Sequence, residues 1–137
     1  MLFRSGANLI EANLEAAYLT KAVLNGVNLN SANLQQAVLI DTDFRSTSDQ
    51  RTDLGKTNFC GADLNYANLS GSLLYRANLA DCRLCRVNFR ASPERDGFIT
   101  DLTEASFRGA DLSYADLRGA ILEDVDLTDA DLTGTLF

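Results

Sequence analysis

Large apolar residues fall on every fifth position of this chain for most of its length. The beat runs from Leu9 through Leu14, Leu19, Leu24, Leu29, Leu34 and Leu39 to Phe44. It resumes at Leu54 and reaches Phe89, then resumes at Leu102 and ends at Phe137. Two residues before each beat sits a small side chain, and the residue between them is mostly Asn or Asp. With the large residue called i, all 24 positions i are Leu or Phe, and all 24 positions i−2 are Ala, Val, Thr, Ser or Cys.

A period of five excludes the two commonest elements. At about 100° per residue, successive leucines of a helix would be offset by about 140° and would spiral around it. Along a straight strand side chains alternate, so an odd period would point each leucine opposite to the last. The pattern is met when the chain turns once per repeat. Residues i−2 and i then face inward from a short extended piece, i−1 faces outward, and i+1 with i+2 make the corner. Repeated corners wind the chain into a coil, and coils stacked about 4.8 Å apart share backbone hydrogen bonds as a solenoid. Each unbroken run holds eight repeats. Eight divides by four and not by three, so four-sided coils are expected: two to a run, six in all, a rod about 29 Å long.

Two segments break the beat. Continuing it through Arg45-Ser46-Thr47-Ser48-Asp49-Gln50-Arg51 would bury Asp49, and an unpaired buried carboxylate is too costly. The second break contains Ser92, Pro93 and Gly97, a stretch with the chain's only proline; proline lacks the N–H a ladder needs. Both are therefore expected to bulge from the coil, at about residues 45–51 and 91–99, between modules at 7–46, 52–91 and 100–137 of one domain spanning 1–137.

Ala-(Asp/Asn)-Leu-x-x in tandem, from Ala7 to Phe137 apart from the two loops, resembles the pentapeptide-repeat family. The resemblance implies an all-β fold, a right-handed quadrilateral β-helix, and so adds the four sides and the hand, which the spacing alone only suggests. The family is abundant in cyanobacteria and most members have no assigned activity. A subset imitates B-form DNA in shape and charge and binds DNA gyrase, inhibiting it or protecting it from quinolones.

Composition narrows the chemistry. The chain carries a net charge of −7 and no histidine, which argues against direct nucleic-acid binding and leaves a Ser or Cys nucleophile without an imidazole base. No enzyme, metal site or cofactor is expected. Cys82 and Cys85 form a CxxC, but the register puts Cys82 inside and Cys85 on a corner, and Cys60 has no evident partner. Three cysteines without a framework fit a reducing, cytoplasmic setting. No apolar run approaches the length of a membrane-spanning helix. The segment from Asp124 to Asp131 lacks the central glycine and final glutamate of a calcium loop.

Charge is unevenly placed. Residues 100–137 hold nine acids against Arg108 and Arg118, a balance of −7 that equals the whole chain's. Asp111, Asp116, Asp126 and Asp131 at i−1, with Glu104, Glu123 and Asp124 at corners, are the acidic candidates for contact with a basic partner surface. Tyr18 and Val38, both at i−1 and twenty residues apart, should stack outside on one face. Leu73, Tyr66, Tyr75, Tyr114 and Ile121 also fall outward or on corners. Leu136 and Phe137 on the last repeat suggest end-to-end dimerisation, because a solenoid end needs a cap. The expected function is a non-enzymatic interaction scaffold for a protein partner; the alternative is a DNA mimic acting on gyrase.

Overall fold

After most of the inward Leu and Phe residues the chain reverses through a β-turn in which the amide three residues on donates to the carbonyl of i. Ala12 N reaches Leu9 O at 3.0 Å and Ala62 N reaches Phe59 O at 2.8 Å. The third residue of the turn takes positive φ, the type II signature that glycine meets most easily. Gly26 (67°), Gly61 (70°) and Gly109 (65°) do so here. Yet 15 residues with side chains adopt it too, Glu11, Arg86 and Asp129 among them, and all of them sit at i+2. Stacking against neighbouring coils enforces the corner more than local preference does.

The computed structural model describes residues 6–92 and 98–137, and among these no helix forms. The i−1 residues instead pair in parallel across successive coils. Their bridges build four columns of six, which are the faces of the rod. The first face is Asn8, Asn28, Asp53, Leu73, Asp101 and Ile121; the second is Asn13, Asn33, Asn58, Asn78, Ser106 and Asp126. The third is Tyr18, Val38, Asp63, Arg83, Asp111 and Asp131, and the fourth is Val23, Asp43, Asn68, Asn88, Asp116 and Leu136. Partners lie 20 residues apart within a run, 25 across the first break and 28 across the second. The breaks thus add five and eight residues without disturbing the register.

Inside, the Leu and Phe at i and the small residues at i−2 fill a narrow tube, and from Leu19 to Leu117 nearly all of them are buried. At several i−2 positions where a polar residue replaces Ala, its donor bonds a carbonyl of the coil before. Thr42 Oγ1 donates to Leu19 O (3.0 Å), Thr57 Oγ1 to Leu29 O (2.8 Å) and Cys82 Sγ to Phe59 O (2.9 Å). These buried donors are tolerated because each has its acceptor. Phe44 meets Phe59 edge-to-face at 6.5 Å, and Phe89 meets Phe107 likewise at 5.8 Å, so one aromatic joint recurs at both junctions.

Each loop leaves the same edge, between the fourth and first faces, through a neck closed by threonine. Thr52 Oγ1 donates to Arg45 O (2.9 Å) and accepts from Gly26 N (2.8 Å). Thr100 Oγ1 donates to Arg90 O (2.7 Å) and accepts from Gly71 N (2.8 Å). Asp49 is exposed on the first loop. Pro93 and Gly97 of the second lie outside the described residues. Arg51 ties the loops together: its guanidinium donates to Gly71 O and Ile99 O and lies over the Phe98 ring.

Candidate functional site

The outward Asn and Asp have a backbone task. In all 16 described repeats with Asn or Asp at i−1, the side-chain Oδ1 accepts a hydrogen bond from the amide of i+1. This is an Asx turn, satisfying an amide at the corner that the ladder leaves free. Asparagine adds a second bond along the column: Asn78 Nδ2 donates to Asn58 Oδ1 (3.1 Å) and Asn88 Nδ2 to Asn68 Oδ1 (3.2 Å). Aspartate lacks that donor.

The acidic candidates do not share one face. Asp111 and Asp131 are bridge partners on the third, Asp116 lies on the fourth and Asp126 on the second. Asp116 is held by Arg118 at 2.7 Å, with Arg90 3.7 Å away; the Arg118 hydrogen bond keeps its pKa below the ordinary value despite some burial. Asp126 and Asp131 are lowered mainly by the Thr128 and Thr133 hydroxyls, which donate to them at 2.5 and 2.7 Å. Glu104 pairs with Arg76 at 2.6 Å across the edge between the first and second faces, and this pair lowers the Glu104 pKa. Glu123 and Asp124 are exposed on the same edge, in the last coil.

The apolar candidates are also spread: Leu73 and Ile121 lie on the first face, Tyr18 and Val38 on the third and Leu136 on the fourth. Tyr18 bridges Val38 on the third face and is 78% exposed. Tyr66 (57%) and Tyr114 (55%) flank Arg86 in the column of corner residues between the third and fourth faces. The Arg86 guanidinium lies 5.4 Å from the Tyr114 ring centre. Tyr114 in turn covers Gly134, where a Cβ would come within 2.6 Å of the ring. Tyr75 turns out differently: its ring lies over Gly55 and its hydroxyl accepts from Asn30 Nδ2 at 2.6 Å, so it is half-buried. Leu136 pairs with Asp116 on the fourth face, and Phe137 is 61% exposed in the last coil. Arg86 is not among the residues singled out in the sequence; its place one coil from both Tyr66 and Tyr114 is visible only once the second break's eight added residues are counted out.

The three cysteines are free. Cys82 is buried and its thiol is pushed up to about 12 by desolvation, which leaves it inert as a nucleophile. Among the described residues no group of three or more His, Cys, Asp or Glu is placed to hold a metal ion. No helix there is long and apolar enough to cross a membrane.

The family description "pentapeptide repeats (8 copies)" matches residues 5–47, 52–90 and 100–137. Among solved structures, HetL is similar at 45% identity and a TM-score of 0.84 over 98% of this chain. HetL is a pentapeptide repeat protein involved in heterocyst differentiation regulation in the cyanobacterium Nostoc sp. strain PCC 7120, and this chain spans 61% of its length. A pentapeptide repeat protein of the Arabidopsis thaliana thylakoid lumen shares the fold at 22% identity and a TM-score of 0.56, over 80% of this chain and 64% of that one. Trypsin-treated QnrB1, a plasmid-mediated fluoroquinolone resistance protein, matches at 17% identity with a TM-score of 0.41, over 90% of this chain and 65% of that one. No curated protein matches the chain.

Proposed function

The chain belongs to the pentapeptide-repeat family, and from that premise we propose that it works without catalysis, as a rigid scaffold that binds a partner protein in a regulatory role. The observation that carries this is the division of labour at i−1. Sixteen of these positions are occupied by Asn or Asp closing Asx turns, and the fold alone explains them. Where the turn-closing residue is given up, the side chain is released from that duty, and three such positions, Tyr18, Val38 and Arg83, fall on the third face. Exposed tyrosine and arginine held on rigid backbone suit a protein interface. HetL's involvement in regulation, at 45% identity, supports a role of the same kind here. The reading includes a reducing, cytoplasmic setting, supported by three free cysteines.

Expression in Nostoc sp. strain PCC 7120, with heterocysts counted against a strain making a Leu64→Asp variant that cannot fold, tests the regulatory role. A changed heterocyst frequency that requires the folded rod supports it; identical counts sink it. The alternative, a DNA mimic acting on gyrase, draws on the acid-rich last run. It is the weaker reading, because Asp111, Asp116, Asp126 and Asp131 lie on three different faces. A gyrase supercoiling assay decides it: inhibition that disappears when those four become Asn would favour mimicry.

A further inference from the structure

Of the eight arginines among the described residues, Arg45, Arg76, Arg83, Arg90, Arg108 and Arg118 pair with carboxylates, and Arg51 donates to two carbonyls. Arg86 differs. Its guanidinium rests on Tyr114 and makes neither an ion pair nor a hydrogen bond among those residues. It stands mid-rod between Tyr66 and Tyr114 and beside the face of Tyr18 and Val38. The support beneath it is already in place, because Gly134 leaves room for the Tyr114 ring and the ring seats the guanidinium. A side chain ordered before binding loses less entropy on binding.

We propose that the third face and its edge with the fourth form a docking surface for an acidic segment of a partner protein. A partner carboxylate takes the open fork of Arg86, and apolar groups on either side lie against Tyr66, Tyr114, Tyr18 and Val38. From Tyr18 to Tyr114 the surface crosses four coil spacings, about 19 Å, the length of about six extended residues. The site rests on the protein-binding reading above and gives it a place and a partner chemistry. The surface has carboxylates of its own, Asp63, Asp111 and Asp131 on the third face and Asp41 in the corner column next to Tyr66, against Lys21, Arg83 and Arg86. Arg83 is paired with Asp63 at 3.5 Å, so Arg86 is the guanidinium left to take a partner carboxylate.

The test uses a fluorescein-labelled random copolymer of glutamate and tyrosine as probe, followed by polarisation at low salt, with polyglutamate and polylysine as comparators. The copolymer should bind the native chain, and more tightly than polyglutamate does. Arg86→Glu should weaken it by about tenfold and Tyr66→Ser by about fivefold, the range expected of interface anchors. Arg76→Glu, the same charge change on the opposite edge, should have little effect. Because all three side chains are exposed, circular dichroism should show each variant folded. Equal loss in Arg76→Glu, preference for polylysine, or no copolymer binding at about 100 μM would overturn the proposal. The heterocyst count stands apart from it: a positive count with a negative binding assay leaves the scaffold reading intact and removes the acidic partner.

Discussion

Replacing Asn78 by Ala removes two hydrogen bonds together, the one its Oδ1 accepts from the Ala80 amide and the one its Nδ2 donates to Asn58. Each is worth about 1 kcal/mol net, so denaturant unfolding should show a loss of about 1–2 kcal/mol. Asn78→Asp keeps the first bond and should lose less. The acidic counterparts add a pH dependence. Asp116 is held down by Arg118, and Asp126 and Asp131 by the hydroxyls of Thr128 and Thr133. With folded pKa values below the unfolded value of about 3.9, their contribution is full above that value and is lost as pH falls through it toward the folded values. Melting temperatures should hold steady down to about pH 5 and then drop, and Thr128→Val with Thr133→Val should flatten that drop. An unchanged acid limb in the double variant would show that the hydroxyls do not set it. The preference for Asn and Asp was legible in the sequence, but the direction of the side chain was not. A carboxylate turned back to its own corner amide reads, in one dimension, the same as one offered to a partner.

The two loops show the same limit at their necks. The interrupted beat marks both segments in the sequence, yet Thr52 and Thr100 look like any other small filler at i−2. Only the fold shows each hydroxyl shared between an amide one coil below and the carbonyl where the loop departs. Thr52→Val keeps the shape and deletes those bonds in a buried place, which should cost about 1–3 kcal/mol and speed hydrogen exchange at Gly26. The corner glycines are equally unequal. Gly71 has φ +73° and a built Cβ would lie 3.2 Å from Phe98 O and 2.8 Å from Ser92 Cβ, so Gly71→Ala combines backbone strain with a clash at the second neck. Gly119 has φ +76°, but its nearest neighbour would be Ala91 Cβ at 3.8 Å. Gly119→Ala should therefore cost only the strain, about 1 kcal/mol, and Gly71→Ala distinctly more. Equal losses in chemical denaturation would mean that the second neck yields freely.

A rod whose coils touch only their neighbours should be stable in its middle and loose at its ends. Architecture was therefore the most legible property of this chain: each repeat restates the same local rule, and eight repeats per run suggest four faces. The proposed partner surface was not, because it is written in departures from the rule. Arg86 becomes neighbour to Tyr66 and Tyr114 only after the chain has been wound. The neighbour-only arrangement makes a prediction that separates it from an all-or-none core. Leu64 is fully buried between coils on both sides, whereas Leu122, in the last coil, is only partly covered. Leu64→Ala should cost about 3 kcal/mol, and Leu122→Ala clearly less because part of its surface already meets water. In native-state hydrogen exchange, amides of the ladder around Leu64 and Leu84 should open with the full unfolding free energy, and those around Leu14 and Leu127 with a fraction of it. Leu122→Ala should then lower protection mainly in the last two coils and leave Leu64's neighbours unchanged. If one substitution at the end lowered protection by the same amount along the whole rod, the coils would be opening as one unit, and stability here would not be a sum over neighbours.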